Sequence, residues 1–209
     1  MKKTVIVTIG RSFGSRGAEI GRKLSERLNI PFYDKEILEE QVKKSGFTGE
    51  YLASFDEKKT SSFLYSIFMN PESIMLQAGY GGAQPMELAI QKVQFQTIHD
   101  IAEKGSCVIV GRRADQILKN DYNVVSVFVT ATEEDRISHV SERDELSRKD
   151  AEAKIRRMDR SRKSYYNYYG DSQWGEASNY DICLNSSKFG VDGCVEMIMQ
   201  GLRAKGCID

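Results

Sequence analysis

The chain has 209 residues, 40% of them hydrophobic, enough for one good core and too few for two comfortable domains. Charged residues make up 29% and cancel to a formal net charge of zero, so no bulk field draws the chain to nucleic acid or to an anionic membrane. Cys107, Cys183, Cys194 and Cys207 are scattered with no CxxC pair, which argues against a zinc site or a disulfide framework and fits a reducing cytoplasm.

The apolar run after Met1-Lys2-Lys3 is too short for a signal peptide, and no segment approaches the roughly 18 uninterrupted apolar residues of a membrane helix. Val5-Ile6-Val7-Thr8-Ile9 is β-branched throughout and ends at Gly10, the pattern of a strand buried on both faces of a parallel sheet. Ile20, Leu24 and Leu28 then recur at helical spacing, with Arg22, Lys23, Glu26 and Arg27 outside, until Asn29-Ile30-Pro31 stops the helix. Ile30 to Tyr33 reads as a short second strand, and Asp34 as the N-cap of a helix over residues 35–44.

Between residues 45 and 85 the pattern is irregular. Residues 61–69 read as a short apolar helix, and Gly79-Tyr80-Gly81-Gly82 as a flexible joint. A long amphipathic helix is expected over 86–103, closed by Gly105, and a buried strand at Cys107-Val108-Ile109-Val110 runs into Gly111. Residues 124–129 give another strand, with a helix from Glu133. A charged helix spans 148–162, and Tyr165, Tyr166, Tyr168 and Tyr169 lead into a polar loop holding Trp174. A last strand is expected at 181–185 and a last helix at 191–202. Strands alternating with helices imply an α/β domain with a mainly parallel, five-stranded sheet and right-handed crossovers.

In such sheets ligands bind at the carboxyl ends of strands, where loops enter helix N-termini. Gly10-Arg11-Ser12-Phe13-Gly14-Ser15-Arg16-Gly17 sits there, and its glycines let backbone N–H groups converge on an anion at a positive dipole end. The loop departs from the Walker pattern, because Gly17 and Ala18 stand where a lysine and a Ser or Thr are required when Gly14-Ser15 is set on the usual glycine pair. A replacement cation is needed, and Arg11 or Arg16 are the nearest. The bland alternative is a tight strand-to-helix turn with no ligand.

The opening I-G-R-S-F-G-S-R-G, followed by a helix and I-P-F-Y-D-K-E, resembles the cytidylate-kinase-like family of bacterial proteins. The resemblance continues through V-I-V-G-R-R-A-D (108–115), V-F-V-T-A (127–131), the arginine-rich I-R-R-M-D-R-S-R-K-S-Y-Y (155–166) and Y-D-I-C-L-N-S-S (180–187), and is weakest over 45–85. It implies one P-loop NTPase-like three-layer domain, with a variable helical insert at 45–85 and a lid-like segment at 148–178. The implied activity is nucleotide-dependent phosphoryl transfer from ATP with Mg2+ to a nucleoside monophosphate, CMP or dCMP favoured.

Phosphoryl transfer is catalysed mainly by cations and dipoles set around an in-line pair of oxygens, so arginines are the expected tools. Arg156, Arg157, Arg160 and Arg162 lie at helical spacings that put at least two guanidinium groups on one face, and Asp159 can orient one of them. The competing reading is a solvated, salt-bridged helix face. Arg112 follows a buried strand and reaches an acceptor phosphate, or else pairs with Asp115. Asp34 and Lys35 lie on the acceptor side; Asp34 serves equally as a cap.

No Walker-B acid stands at Val110-Gly111, so magnesium is expected to be held by nucleotide oxygens and water, with Ser12 or Ser15 as contacts. His99 and His139 have no partner at metal or triad spacing, and the tyrosine run and Trp174 either stack on a base or pack. Two further hypotheses stand beside the kinase: a nucleotide-binding module that lost turnover with the lysine, and a kinase of another small phosphorylated or hydroxylated metabolite. The apolar run 61–69 suggests a homodimer contact.

Overall fold

The computed structural model describes residues 4–34, 85–168 and 172–209; Lys35, the expected helix 35–44, the insert up to residue 84 and its apolar run 61–69 lie outside the described residues. Strands β1 (Ile6–Arg11), β2 (Phe32–Tyr33), β3 (Cys107–Val110), β4 (Val124–Thr130) and β5 (Ile182–Asn185) form one five-stranded sheet in the order β2-β3-β1-β4-β5. Every described pairing is parallel. The helices are α1 (Gly17–Leu28), α2 (Pro85–Glu103), α3 (Ala114–Leu118), α4 (Glu133–Asp144), α5 (Arg148–Tyr168) and α6 (Ser186–Ala204).

The alternating faces of the central strands explain their unbroken β-branched runs. Val5, Val7 and Ile9 pack with Val108, Val110 and the β4 valines against Ile20 and Leu24 of α1 and Ile198 and Leu202 of α6. Ile6, Cys107 and Ile109 point the other way, into Ile98 and Ile101 of α2 and Leu118 of α3. Each fully buried branched side chain contributes about 1.5–3 kcal/mol of transfer free energy, so the two layers together clamp the sheet between helices. Close approach of α1 needs Gly21, where a Cβ would lie 2.9 Å from Val110 Cγ2 and 3.1 Å from Ile9 Cδ1.

Several boundaries differ from the sequence reading. Strand β1 runs on through Gly10 and Arg11 because its ladder to β4 continues, with Gly10 opposite Phe128 and Arg11 opposite Val129. Helix α5 extends to Tyr168 instead of ending near Arg162, since Tyr166 is buried and finds partners for its hydroxyl. Helix α6 begins at Ser186, capped by the Asn185 side chain, and breaks at Gly190 (φ 64°, ψ 179°) before resuming. Among the described residues no helix is long and apolar enough to cross a membrane.

Candidate functional site

The carboxyl ends of β1, β3 and β4 meet at the loop 12–16, which joins β1 to α1. Arg16 is the N-cap of α1 in a left-handed conformation (φ 59°) and supplies no side-chain cap. The first intrahelical bond runs from Ile20 N to Arg16 O, so the amides of Gly17, Ala18 and Glu19 open the helix with no i−4 acceptor. A 12-residue helix whose first-turn amides face the loop presents a partial positive charge there.

The rest of the loop is held from beneath and from one side. Ser12 N donates to Val129 O (3.0 Å), Ser15 N to Ser12 O (3.3 Å), and the buried Ser15 hydroxyl to Ser12 O (2.9 Å) and Val129 O (3.0 Å). Ser186 Oγ, at the start of α6, donates to Ser15 O (2.9 Å). The amides of Ser12 and Ser15 and the Ser15 hydroxyl are thereby committed to carbonyls of the loop and of β4. Ala18 stands at the Walker hydroxyl position, and no cluster of metal-ligating side chains occurs among the described residues.

Phe13 is gripped by two helices. Asp159 of α5 accepts from Phe13 N (2.7 Å), Arg136 of α4 donates to Phe13 O (2.7 Å), and Arg136 and Asp159 form an ion pair with each other. Arg143 and Arg162 place their guanidinium carbons 5.1 and 5.3 Å from the Phe13 ring centroid, and Arg162 Nη1 donates to Arg11 O (3.0 Å). Asp159 thus orients Arg136 and the loop, not one of the α5 arginines as expected from spacing. Arg162 reaches the site. Arg156 pairs with Glu152 and Glu133 on the solvent face, and Arg157 and Arg160 are exposed.

With Gly14-Ser15 set on the usual glycine pair, the Walker pattern puts its lysine on Gly17 and its glycines on Arg11 and Arg16. The two arginines diverge. Arg11 packs its Cβ against Gly17, where an added Cβ would lie 2.6 Å away, and ends at Gly111, where an added Cβ would lie 1.8 Å from Arg11 Nη1. Arg16 instead borders a cavity of about 270 Å3 on the opposite flank, with Gly14, Asp135, His139, Ser186 and Gly190. Burial first, then the charges of Arg16 and Arg143, lowers the His139 pKa below the ordinary histidine value. Its imidazole is neutral at pH 7.

On the Arg11 flank a cavity of about 90 Å3 is bordered by Gly10, Arg11, Gly111, Arg112, Arg113, Asp115, Arg162 and the rings of Tyr165, Tyr166, Trp174 and Tyr180. Gly111, Arg112 and Arg113 all have positive φ (81°, 57° and 55°). Left-handed arginines cost about 1–3 kcal/mol each, a strain that clusters at functional sites. The turn is held by Gly111 N donating to Ile9 O (3.0 Å) and by Gln94 Nε2 donating to Arg112 O (3.0 Å). Gln94 accepts in turn from Tyr165 OH.

Asp115, 8% exposed, accepts from Tyr166 OH (2.5 Å) and Gln116 Nε2 (3.1 Å) through the same oxygen. Burial, reinforced by Asp115, raises the Tyr166 phenol far above its usual range, and burial lifts Tyr180 to about 12. Both remain neutral donors. Trp174 packs edge-on against Phe128 (centroids 5.4 Å, 88°), and Tyr180 lies 5.0 Å from the same ring. Asp34 sits 3.3 Å from Arg22 Nη2 at the end of β2, away from this cavity's described border.

Sequence reasoning did not find Arg136, Gln94 or Tyr180, and named Asp115 only as a partner for Arg112. Arg136 lies one turn into α4, on a face with Val140, and its role depends on where α5 lands. Tyr180 precedes β5 and reaches the site by folding beneath Gly10, where an added Cβ would lie 3.2 Å from its ring.

Among solved structures, the chain is similar to an uncharacterized protein from Eubacterium ventriosum ATCC 27560 at 32% identity, covering 94% of this chain and 96% of that one with a TM-score of 0.69. Shikimate kinase from Bacteroides thetaiotaomicron (11% identity, 96% and 99% covered, TM-score 0.55) shares the fold. So does a gluconokinase from Sinorhizobium meliloti 1021 (11%, 98% and 94% covered, TM-score 0.52). No curated protein matches the chain. The fold is that of P-loop kinases. Residues 6–188 match the model of the cytidylate kinase-like family, and the chain belongs to that family.

Proposed function

We propose that the protein transfers the γ-phosphoryl group of ATP to a small anionic acceptor, with the nucleoside monophosphates CMP and dCMP favoured. What carries the reading is the juxtaposition of an open helix N-terminus at Gly17 with an arginine-bordered cavity across the ends of β1 and β3. Among the described residues, the border of that cavity carries Arg11, Arg112, Arg113 and Arg162 together with the carboxylate of Asp115. Guanidinium groups gathered at a cavity edge suit an anionic occupant, because their planar forks of donors match phosphate oxygens.

In this reading the donor's phosphates lie over the amides of Gly17 to Glu19, its nucleoside toward the Arg16 and His139 flank, and the acceptor among the arginines. A bond forms from an acceptor oxygen to the γ-phosphorus as the bond to the β,γ-bridging oxygen breaks, its electron pair leaving with ADP. Arg112 and Arg162 offset the charge that spreads over the phosphoryl oxygens, and the tyrosine and Trp174 rings keep water out. Magnesium, brought with ATP, would supply further positive charge to the phosphate oxygens.

Asp115 supports a second reading, in which the acceptor is a hydroxylated metabolite whose O–H donates to this carboxylate. The separating experiment is ADP release from ATP and Mg2+ with a panel of monophosphates and of hydroxy acids. Turnover with CMP or dCMP supports the first reading and turnover with a hydroxy acid the second. ATP binding with no ADP released by any acceptor leaves a nucleotide-binding module.

A further inference from the structure

Where the Walker pattern carries a lysine and an acid after β3, this chain has Gly17 and Gly111, and both glycines lie against Arg11. At Gly17, the lysine position, an added Cβ would lie 2.6 Å from Arg11 Cβ and 3.0 Å from its Cγ. At Gly111, just past β3, it would lie 1.8 Å from Arg11 Nη1 and 2.9 Å from Cζ. A Cβ at 17 would meet the root of the Arg11 side chain, which moves only with its backbone, whereas a Cβ at 111 would meet the guanidinium itself and turn it out of its present place. Resting on the phosphoryl-transfer reading above, we infer that the Arg11 guanidinium takes the place of the P-loop lysine and contacts the γ-phosphate, and that Gly17 and Gly111 are glycines to let it through.

The geometry selects Arg11 over Arg16. Arg11 begins at the last residue of β1, crosses the first residue of α1 and ends at the arginine cavity beyond β3, so its charge lies on the side where donor and acceptor phosphates meet. Arg16 turns toward Asp135 and His139, on the flank assigned to the nucleoside. A guanidinium suits the exchange chemically, since it stays protonated and offers a planar fork of donors to phosphate oxygens. Its backbone is also fixed: Arg11 O accepts from Arg162, so one loop carbonyl ties the new cation to the α5 arginine.

The test is calorimetric titration of ATP and of ADP, each with Mg2+, into four proteins: wild type, Arg11→Ala, Arg16→Ala and the double variant Arg11→Gly/Gly17→Lys. A charge-assisted bond to the γ-phosphate is worth about 10- to 100-fold in affinity. Arg11→Ala is expected to weaken ATP by that factor and ADP by less than about threefold, whereas Arg16→Ala weakens both alike. The double variant, with the lysine restored where Arg11 no longer obstructs it, is expected to recover most of the ATP preference, which a merely structural role for Arg11 does not predict.

Equal weakening of ATP and ADP in Arg11→Ala, or an unchanged ATP preference, overturns the assignment. Wild-type protein that binds ATP and releases no ADP with any acceptor overturns the kinase reading and leaves the Arg11 comparison intact; wild type that binds neither nucleotide ends both.

Discussion

Replacing Asp159 by alanine tests whether the loop is shaped by its neighbours more than by its own glycines. The carboxylate accepts from Phe13 N (2.7 Å) and pairs with Arg136, and the two side chains are 20% and 13% exposed. Alanine leaves a mostly buried guanidinium without its counter-ion and a loop amide without its acceptor. Stranding one member of a fully buried pair costs about 3–5 kcal/mol. Partial exposure and the surviving bond from Arg136 to Phe13 O reduce this to about 2–3 kcal/mol. For a chain of this size that is a drop of about 4–12 °C in Tm.

Urea denaturation of Asp159→Ala, Arg136→Ala and the double variant closes the cycle. A coupling energy of about 1 kcal/mol or more is expected between the two sites. Because Phe13 carries the loop, nucleotide affinity falls with stability. Additive losses, or a single variant within about 0.5 kcal/mol of wild type, refute the clamp.

Gly14→Ala places a Cβ 2.9 Å from Val140 Cγ2 and 3.1 Å from Arg136 O at a φ of +82°. Left-handed strain and overpacking together predict a loss of about 2–4 kcal/mol, read by the same denaturation, with Gly14→Asn milder in strain and equal in crowding. Asp144 is held well below the usual carboxylate range by its paired bonds from Arg143 (2.7 and 2.8 Å) and by Lys154. A depressed folded pKa lends stability that is complete above the unfolded value of about 3.9 and is lost as pH falls toward the folded one. The Tm gap between wild type and Asp144→Asn is therefore expected to be constant from about pH 5 to 8 and to close in stronger acid; a gap that widens on acidification reverses the sign of the argument.

The layered α/β fold and the place of the anion loop were legible in the sequence because both depend on local signals. Runs of β-branched residues such as Val5 to Ile9 and Cys107 to Val110 have one meaning when each ends at a glycine before a helical repeat. The spacing of Arg112 behind a buried strand likewise placed it just past the carboxyl end of β3. Helix ends were less legible: whether α5 stops at Arg162 or runs to Tyr168 depends on Asp115 and Gln116 meeting the Tyr166 hydroxyl from another element.

What composition and periodicity determined is that a glycine-bearing loop joins β1 to α1 and that it lacks the Walker lysine. Which way Arg11 and Arg16 point, and which helix steadies the loop, came only with the tertiary structure. Arg11 and Arg16 are neighbours along the chain with the same charge, and nothing in their spacing tells that one passes over Gly17 to Gly111 while the other turns to Asp135. Asp159 sits among arginines on its own helix and pairs with Arg136, 23 positions back. Long side chains choose partners by the three-dimensional path open to them, and that path is set by the sheet order and by glycines that leave room, neither of which a linear pattern records.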